Sequence, residues 1–187
     1  MSTSESNADP IVPGRSCAGC TMCCKLLGVT ALNKPAFTWC QHCAIGEGCT
    51  IYAARPPECA GFYCAWMVNP RLGPEWRPAD AKMMISFDAP ANRVLVHVDP
   101  ARGDAWRKPP HYPQIKNMAV QALRNGGHLL VWQGRQAFVI LPDREVSLGV
   151  IESDAVVVIT ENRTPMGVAY DAAAYAPDDP RLAALRS

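Results

Sequence analysis

Cys17-Ala-Gly-Cys20-Thr-Met-Cys23-Cys24 is the stretch that decides the character of this chain. Two residues separate each of its first three cysteines, a spacing that lets a tight turn bring successive sulfurs onto one metal centre. The remaining cysteines of the 187-residue chain follow closely and are Cys40, Cys43, Cys49, Cys59 and Cys64. This clustering predicts that residues 15–67 form a metal-binding unit, because thiols packed this closely need a cation to deprotonate them and hold them together.

The cysteines also predict a compartment. Their number, nine, is odd, and the opening residues Met1 to Pro10 are polar and lack the apolar core of an export signal. A disulfide framework is therefore not expected, and we predict a cytoplasmic protein whose thiols stay reduced. Its apolar runs are too short to span a bilayer, which predicts no membrane partner. The 18 basic and 17 acidic residues give a net charge of +1, which offers no electrostatic case for nucleic acid.

Two metal chemistries compete for these cysteines. The spacing C-x2-C-x2-C opens bacterial-type 4Fe–4S motifs, although Leu27 and Gly28 stand where the fourth cysteine and its proline would follow. The two pairs Cys20-x2-Cys23 and Cys40-x2-Cys43 are sixteen residues apart and fit a zinc ribbon. Two tetrathiolate sites would use eight of the nine thiols. The sequence leaves an iron–sulfur cluster and zinc both open as the cofactor.

A second block, Cys43-x5-Cys49-Thr-Ile-Tyr52-Ala-Ala-Arg55-Pro56-Pro-Glu-Cys59, adds to the first. Together and in this order the two blocks resemble the CxxCxxCC family of zinc- or iron-chelating proteins, the YkgJ-type cysteine-cluster proteins. The resemblance covers residues 17–64. It implies that the metal ligands are Cys17, Cys20, Cys23, Cys24, Cys43, Cys49 and Cys59. Cys40 and Cys64 lie outside the family pattern and are added as candidate ligands.

Other side chains are weaker candidates. Arg55 stands between two candidate ligands, and we predict that it offsets the negative charge of a thiolate centre through N–H···S contacts. His42 could replace a cysteine as a ligand, but nine thiols make this the less favoured choice. His97 and Asp99 are predicted to be polar residues on the solvent side of a sheet, and His111 and His128 flank a helix.

The fold class predicted from the pattern is α+β: a small cysteine-rich metal-binding segment followed by a mainly antiparallel sheet with one main helix. Strands are expected at residues 82–87, 93–99, 128–133, 136–141, 146–149 and 155–160, and the helix at 112–125. Gly134-Arg135 suits a type II′ hairpin. We predict a disordered leader at 1–14, the cysteine-cluster domain at 15–67, a linker at 68–80, the α+β domain at 81–162 and a loosely packed tail at 163–187.

Three functions are compatible with these features, in decreasing order of preference. The first is a metal-binding protein whose centre is structural, redox-active or a metal-delivery site, with a protein partner in the last two cases. The second is an enzyme that uses a cluster or a mononuclear iron and builds its substrate wall from the α+β half. The third is a zinc-ribbon-like module that binds another protein.

Overall fold

Residues 11–185, the part of the chain that this computed structural model describes, form nine strands and six helices. The strands are β1 (Cys43–Ala44), β2 (Gly48–Cys49), β3 (Met83–Asp88), β4 (Arg93–Val98), β5 (His128–Gln133), β6 (Gln136–Ile140), β7 (Glu145–Val150), β8 (Val156–Thr164) and β9 (Gly167–Tyr175). The helices are α1 (Met22–Leu26), α2 (Pro57–Ala60), α3 (Ala65–Val68), α4 (Pro78–Ala81), α5 (His111–Arg124) and α6 (Arg181–Leu185). Single turns of 3-10 helix occur at Thr30–Leu32, Tyr52–Ala54, Pro74–Trp76, Pro100–Arg102 and Ala105–Arg107.

The central sheet has five strands in the order β3-β4-β5-β6-β7. Three of its four pairings are antiparallel, and β4 pairs with β5 in parallel. A parallel pair needs a crossover connection, and here α5 forms that crossover between β4 and β5. The predicted α+β class, a mainly antiparallel sheet with one main helix, is therefore confirmed.

The helix α5 lies within one residue of its predicted bounds. Ile115 and Ala119, four residues apart, are buried against the sheet because side chains at this spacing share one helix face. Gly126 follows the helix with a φ of +71°, a backbone conformation that favours glycine and ends the helical run. Gly134 in the turn between β5 and β6 has a φ of +62°, as the first position of the predicted type II′ hairpin requires.

Different elements pack on the two faces of the central sheet. The face toward α5, which we call the inner face, forms the main core. The buried strand residues of this face include Met83, Val96, Val98, Leu129 and Val131. Alternation along the strands sends the next residues to the opposite, outer face. On the outer face α1 covers Met84, while the β8–β9 hairpin covers Leu130, Val139 and Leu141.

The predicted tail at 163–187 is wrong over its first half. β8 runs to Thr164 and pairs along its whole length with β9, whose Tyr170 and Ala172 pack on the outer face of the sheet. The alanines of β9 made this region look like a loose surface segment. A strand that lies over an apolar sheet face can bury small residues at alternate positions. The low hydrophobicity of residues 167–175 therefore did not exclude a strand.

The predicted leader and linker also need correction. Residues 1–10 of the leader lie outside the described residues, but Val12 donates its N–H to the Met67 carbonyl at 2.8 Å, so the predicted disorder is wrong for residues 11–14. In the predicted linker, Leu72 and Trp76 are buried in the main core, at 8% and 2% exposure. Proline and glycine correctly excluded a long helix or a central strand there, but they did not prevent short turns from burying large side chains.

Trp76→Ala tests whether this segment is part of the core. We expect a loss of about 3–5 kcal/mol in the free energy of unfolding, because a buried tryptophan leaves a cavity that the core refills only in part. Urea unfolding followed by circular dichroism measures it. Met166→Ala, at a site that is 98% exposed, is the control and should stay within about 0.5 kcal/mol of the parent. A loss below about 1 kcal/mol in Trp76→Ala would restore the linker interpretation.

Candidate metal centre

The helix α1 divides its residues between the sheet and the cysteine segment. Met22 and Leu26, four positions apart, are buried against Met84 of β3. Cys23 and Cys24 lie between these two anchors in the sequence and line a cavity on the other side. A single helical turn thus fixes two adjacent thiols because its apolar pair is held by the sheet.

Seven cysteines line one cavity of about 140 Å³. They come from separate parts of the segment and are Cys17, Cys20, Cys23, Cys24, Cys40, Cys49 and Cys59. All nine cysteines of the chain lie in the described residues, and none of them forms a disulfide. The two sequence blocks, although separated by residues 25–42, therefore meet at one place.

Two predicted ligands do not line this cavity. Cys43 pairs with Cys49 across the β1–β2 hairpin, and its sulfur hydrogen-bonds with that of Cys24. Cys64 is 9% exposed and packs with Met67 and Met84 in a small core behind the cavity. The structure thus brings Cys40, which the family pattern omits, to the cavity wall, and keeps Cys43 and Cys64 outside it.

Crowding disfavours the ionised form of these thiols. The pKa of Cys24 is raised by its hydrogen bond with Cys23 and by burial, and the pKa of Cys17 is raised by burial and by the nearby Cys20. Burial, followed by the neighbouring Cys24, raises the pKa of Cys43 to about 11. Each shift keeps a thiol protonated at neutral pH. A bound cation would instead lower the pKa of these thiols, because it favours the thiolate.

Two cationic side chains also line the cavity. The Arg55 guanidinium lies 3.7 Å from the Tyr52 ring centroid and donates to the Tyr52 carbonyl at 2.9 Å, and these two contacts hold it beside the cavity. Its positive charge lowers the pKa of Cys17, although burial outweighs this effect. The N–H···S contacts predicted for Arg55 stay a prediction.

Lys34 is a site residue that the sequence reasoning missed. It is 8% exposed, its ammonium group donates to the carbonyls of Leu27 and Pro35, and its pKa is lowered by burial while Cys40 and Cys24 oppose that shift. A buried lysine beside several thiols supplies positive charge where thiolates would form. The available signal was its position as a lone lysine in the apolar stretch between the two cysteine blocks.

The donor set fits a soft metal, but its sulfurs surround the cavity instead of meeting at one point. Among residues 11–185, no three His, Cys, Asp or Glu side chains are close enough together to hold a single ion. Thiolate sulfur is the preferred ligand of zinc and of iron–sulfur clusters. Binding of either would require rotation of cysteine side chains toward the cavity.

The histidines and Asp99 lie in different surroundings. His42 lines the cysteine cavity, so it stays a candidate ligand. Asp99 is 7% exposed and forms an ion pair with Lys25 of α1 at 2.6 Å, which corrects its predicted position on the solvent side. Asp99 also caps the turn that follows β4 by accepting a hydrogen bond from the Ala101 N–H at 2.9 Å. Its contacts are those of an anchor for α1.

The predicted solvent-side position of His97 is wrong as well. Its ring nitrogen Nε2 lies 3.0 Å from the Ser86 hydroxyl on the outer face of the sheet, which α1 and the β8–β9 hairpin cover in part. Burial, aided by Arg93, lowers the pKa of His97 to about 4. His111 contacts the Glu75 carbonyl at 2.9 Å, on the far side of the sheet. The histidines therefore do not assemble a second metal site with Asp99.

No protein-family model, curated protein or solved structure matches this chain. Within the described residues, none of the helices has the length and apolar character needed to cross a membrane.

The Lys25–Asp99 ion pair can be tested with a double-mutant cycle of Lys25→Met and Asp99→Asn. These changes keep the side-chain stems and the cap on Ala101. The two side chains are 16% and 10% exposed, and each single change leaves its partner unpaired, so we expect each to cost about 1–3 kcal/mol. The double variant should lose less than the sum by about 1 kcal/mol or more. Additive losses in urea unfolding would show that the pair does not hold α1 to the sheet.

The lowered pKa of His97 predicts a pH dependence of stability. A histidine with a normal pKa when unfolded and a pKa of about 4 when folded takes up its proton more readily in the unfolded chain. Its contribution is therefore present above about pH 6.5 and is lost as the pH falls toward 4. Between pH 7 and pH 4.5 the parent should lose about 1–2 kcal/mol more than His97→Gln in urea unfolding, a value reduced for partial solvent access. If the parent and His97→Gln lost the same free energy of unfolding over this pH range, the lowered pKa of His97 would be contradicted.

Proposed function

We propose that this chain binds a metal centre, an iron–sulfur cluster or zinc, in the cysteine-lined cavity. The observation that carries the proposal is the meeting of seven cysteines, six from the two sequence blocks and Cys40 from between them, around one cavity of about 140 Å³. Scattered buried cysteines would be expected to lie at unrelated places in a core. The absence of disulfides among the described cysteines leaves all of these thiols free to act as ligands.

The size of the thiol set favours more than one metal atom. A structural zinc site uses four ligands, fewer than the seven cysteines that line the cavity. A cavity of about 140 Å³ corresponds to roughly four or five water molecules at about 30 Å³ each, which is more room than one ion fills. An iron–sulfur cluster, or a pair of zinc ions that share thiolates, satisfies both observations. A lone tetrahedral zinc ion would leave three of the seven cavity thiols unused.

Charge balance supports the same proposal. Every coordinating cysteine contributes a negative charge as it loses its proton. Lys34 and Arg55 stand at the cavity wall, where their positive charges would offset part of that excess. When bound, the centre would supply either structural cross-linking of the segment or, in the cluster case, a site for one-electron transfer. The residues present hold the ligands and neutralise charge in both cases.

The proposal extends to family and compartment. Membership of the zinc- or iron-chelating cysteine-cluster family is supported by the two matching blocks between Cys17 and Cys59. A cytoplasmic location is supported by the free thiols, which a reducing compartment preserves. A redox or metal-delivery role would add a protein partner. The net charge of +1 gives no support to a nucleic-acid partner.

The first experiment is metal analysis with an absorption spectrum on the full chain purified without oxygen. We expect either iron with sulfide and a broad band near about 400 nm, or two zinc ions per chain without colour. Protein that carries neither metal at a stoichiometric level would overturn the proposal. One zinc ion per chain would overturn its polynuclear part.

Cys24→Ala and Cys64→Ala form a matched pair for locating the centre. Cys24 lines the cavity next to Cys23, whereas Cys64 is packed behind it. We expect the first variant to lose at least half of the bound metal and the second to keep nearly all of it. Circular dichroism of both variants checks that the sheet stays folded. Equal metal loss in the two variants would place Cys64 among the ligands and move the centre away from this cavity.

A further inference from the structure

A second and larger cavity, a cleft of about 510 Å³, lies between the cysteine segment and the central sheet. On the outer face of the sheet, α1 covers Met84 and the β8–β9 hairpin covers Leu130 and its neighbours. Leu95, His97 and Trp132 lie between these two covers and form the floor of the cleft. The cleft therefore results from the gap between α1 and the β8–β9 hairpin on the outer face of the sheet.

The walls of the cleft combine an apolar surface with a small number of polar groups. Leu26 and Phe37 from the cysteine segment form one wall, and Ile151 lies on the opposite rim. Trp132 lines the cleft and is 8% exposed. A volume in the range of about 300–1,000 Å³, mainly apolar walls and few polar groups are the usual properties of small-molecule sites.

The charged groups of the cleft are unequal in number. Arg93 and Arg135 contribute two positive charges and Glu152 contributes one negative charge, so the lining carries a net charge of +1. Arg93 is fixed by Asp88, through a contact of 2.6 Å, and by the Ser153 carbonyl at 3.2 Å. Arg135 pairs with Glu152 at the rim, where both side chains are more than 70% exposed and free to exchange partners with water or a ligand.

We propose that this cleft binds a small organic anion, a molecule with a flat apolar body and one carboxylate. The body lies against Trp132 and Phe37, and the carboxylate lies toward the two arginines. Arginine suits this role because its planar guanidinium matches the geometry of a carboxylate and can form two parallel hydrogen bonds with it. His97 at the floor is neutral at pH 7 and therefore does not add to the charge.

The cleft is distinct from the metal centre but adjoins it. Leu27 and Gly28 line both cavities, and no cysteine lines the cleft. Binding of the anion consequently does not depend on the identity of the metal. If the protein proves to be free of metal and still binds the probe, this inference survives while the proposed function fails.

The test is a titration of the full chain, as purified, with 2-naphthoate and, separately, with the neutral analogue 2-naphthylmethanol. The indole N–H signal of Trp132 in a proton–nitrogen NMR spectrum reports binding, and Trp132→Phe assigns that signal. We expect 2-naphthoate to shift it with a Kd on the order of 1 mM or tighter. The neutral analogue should bind about two- to fivefold more weakly, and Arg135→Ala should weaken naphthoate binding by a similar factor.

Blocking variants locate the site. Ala36 and Ser153 are exposed residues on opposite rims of the cleft, so Ala36→Trp and Ser153→Trp each place a bulky ring in the opening without removing a core side chain. Either one, once its unchanged melting temperature shows that it is folded, should abolish the naphthoate shift at Trp132. Met166→Ala, outside the cleft, should leave it unchanged.

Three results would overturn the proposal. The first is the absence of any shift at Trp132 at 10 mM naphthoate. The second is equal binding of the neutral analogue, which would show that the arginines do not select an anion. The third is naphthoate binding that persists in both folded blocking variants, which would place the probe elsewhere on the surface.

Discussion

The attachment of α1 to the outer face of the sheet is the interaction on which the cysteine segment depends. Met22 and Leu26 pack on Met84, and Lys25 between them reaches Asp99 at the end of β4. Each residue of this short helix thus has a fixed direction, and Cys23 and Cys24 are left to face the cavity. A helix of five residues is not stable alone, so its form comes from these tertiary contacts.

The same attachment explains why the chain does not divide into a metal domain and a separate α+β domain. The small core of the cysteine segment includes Met84, which belongs to the sheet. Arg15 at the start of the segment donates to the carbonyls of Asn69 and Leu72, which continue into the core-forming turn around Trp76. The cysteine segment therefore contacts both the predicted linker, through Arg15, and the sheet beyond it, through Met84. The sheet serves as the scaffold on which a segment poor in aliphatic residues can hold its thiols.

Sequence reasoning succeeded where local pattern and structure agree. The strand β4, the helix α5 and the turn at Gly134 were each predicted, and the structure confirms all three. These elements are determined by neighbours in the sequence, and the outcome of each is visible in a short window. The convergence of two cysteine blocks was predictable in outline for a different reason, because C-x2-C spacing is typical of cysteines that face a common site.

The errors concern contacts between parts that are distant in the sequence. Trp76 is buried because the main core offers it an apolar surface, and the proline content of its segment does not reveal this. Likewise, β9 forms by pairing with β8, which the alanine content of β9 does not reveal. Asp99 has the sequence context of a turn residue, and only the arrival of Lys25 from α1 makes it an internal anchor. Local propensity is a weak guide wherever tertiary packing supplies the larger free energy.

Lys34 supports the wall that the cysteine cavity shares with the cleft. The helix α1 ends after little more than one turn, which leaves its last carbonyl groups without helical partners. The Lys34 ammonium group donates a hydrogen bond to the carbonyl of Leu27, the residue that follows the helix. The Lys34 backbone also pairs with Val29 in an isolated antiparallel bridge. Leu27 and Gly28, the wall shared by the cysteine cavity and the cleft, are thereby held by the same cation that lies beside the thiols.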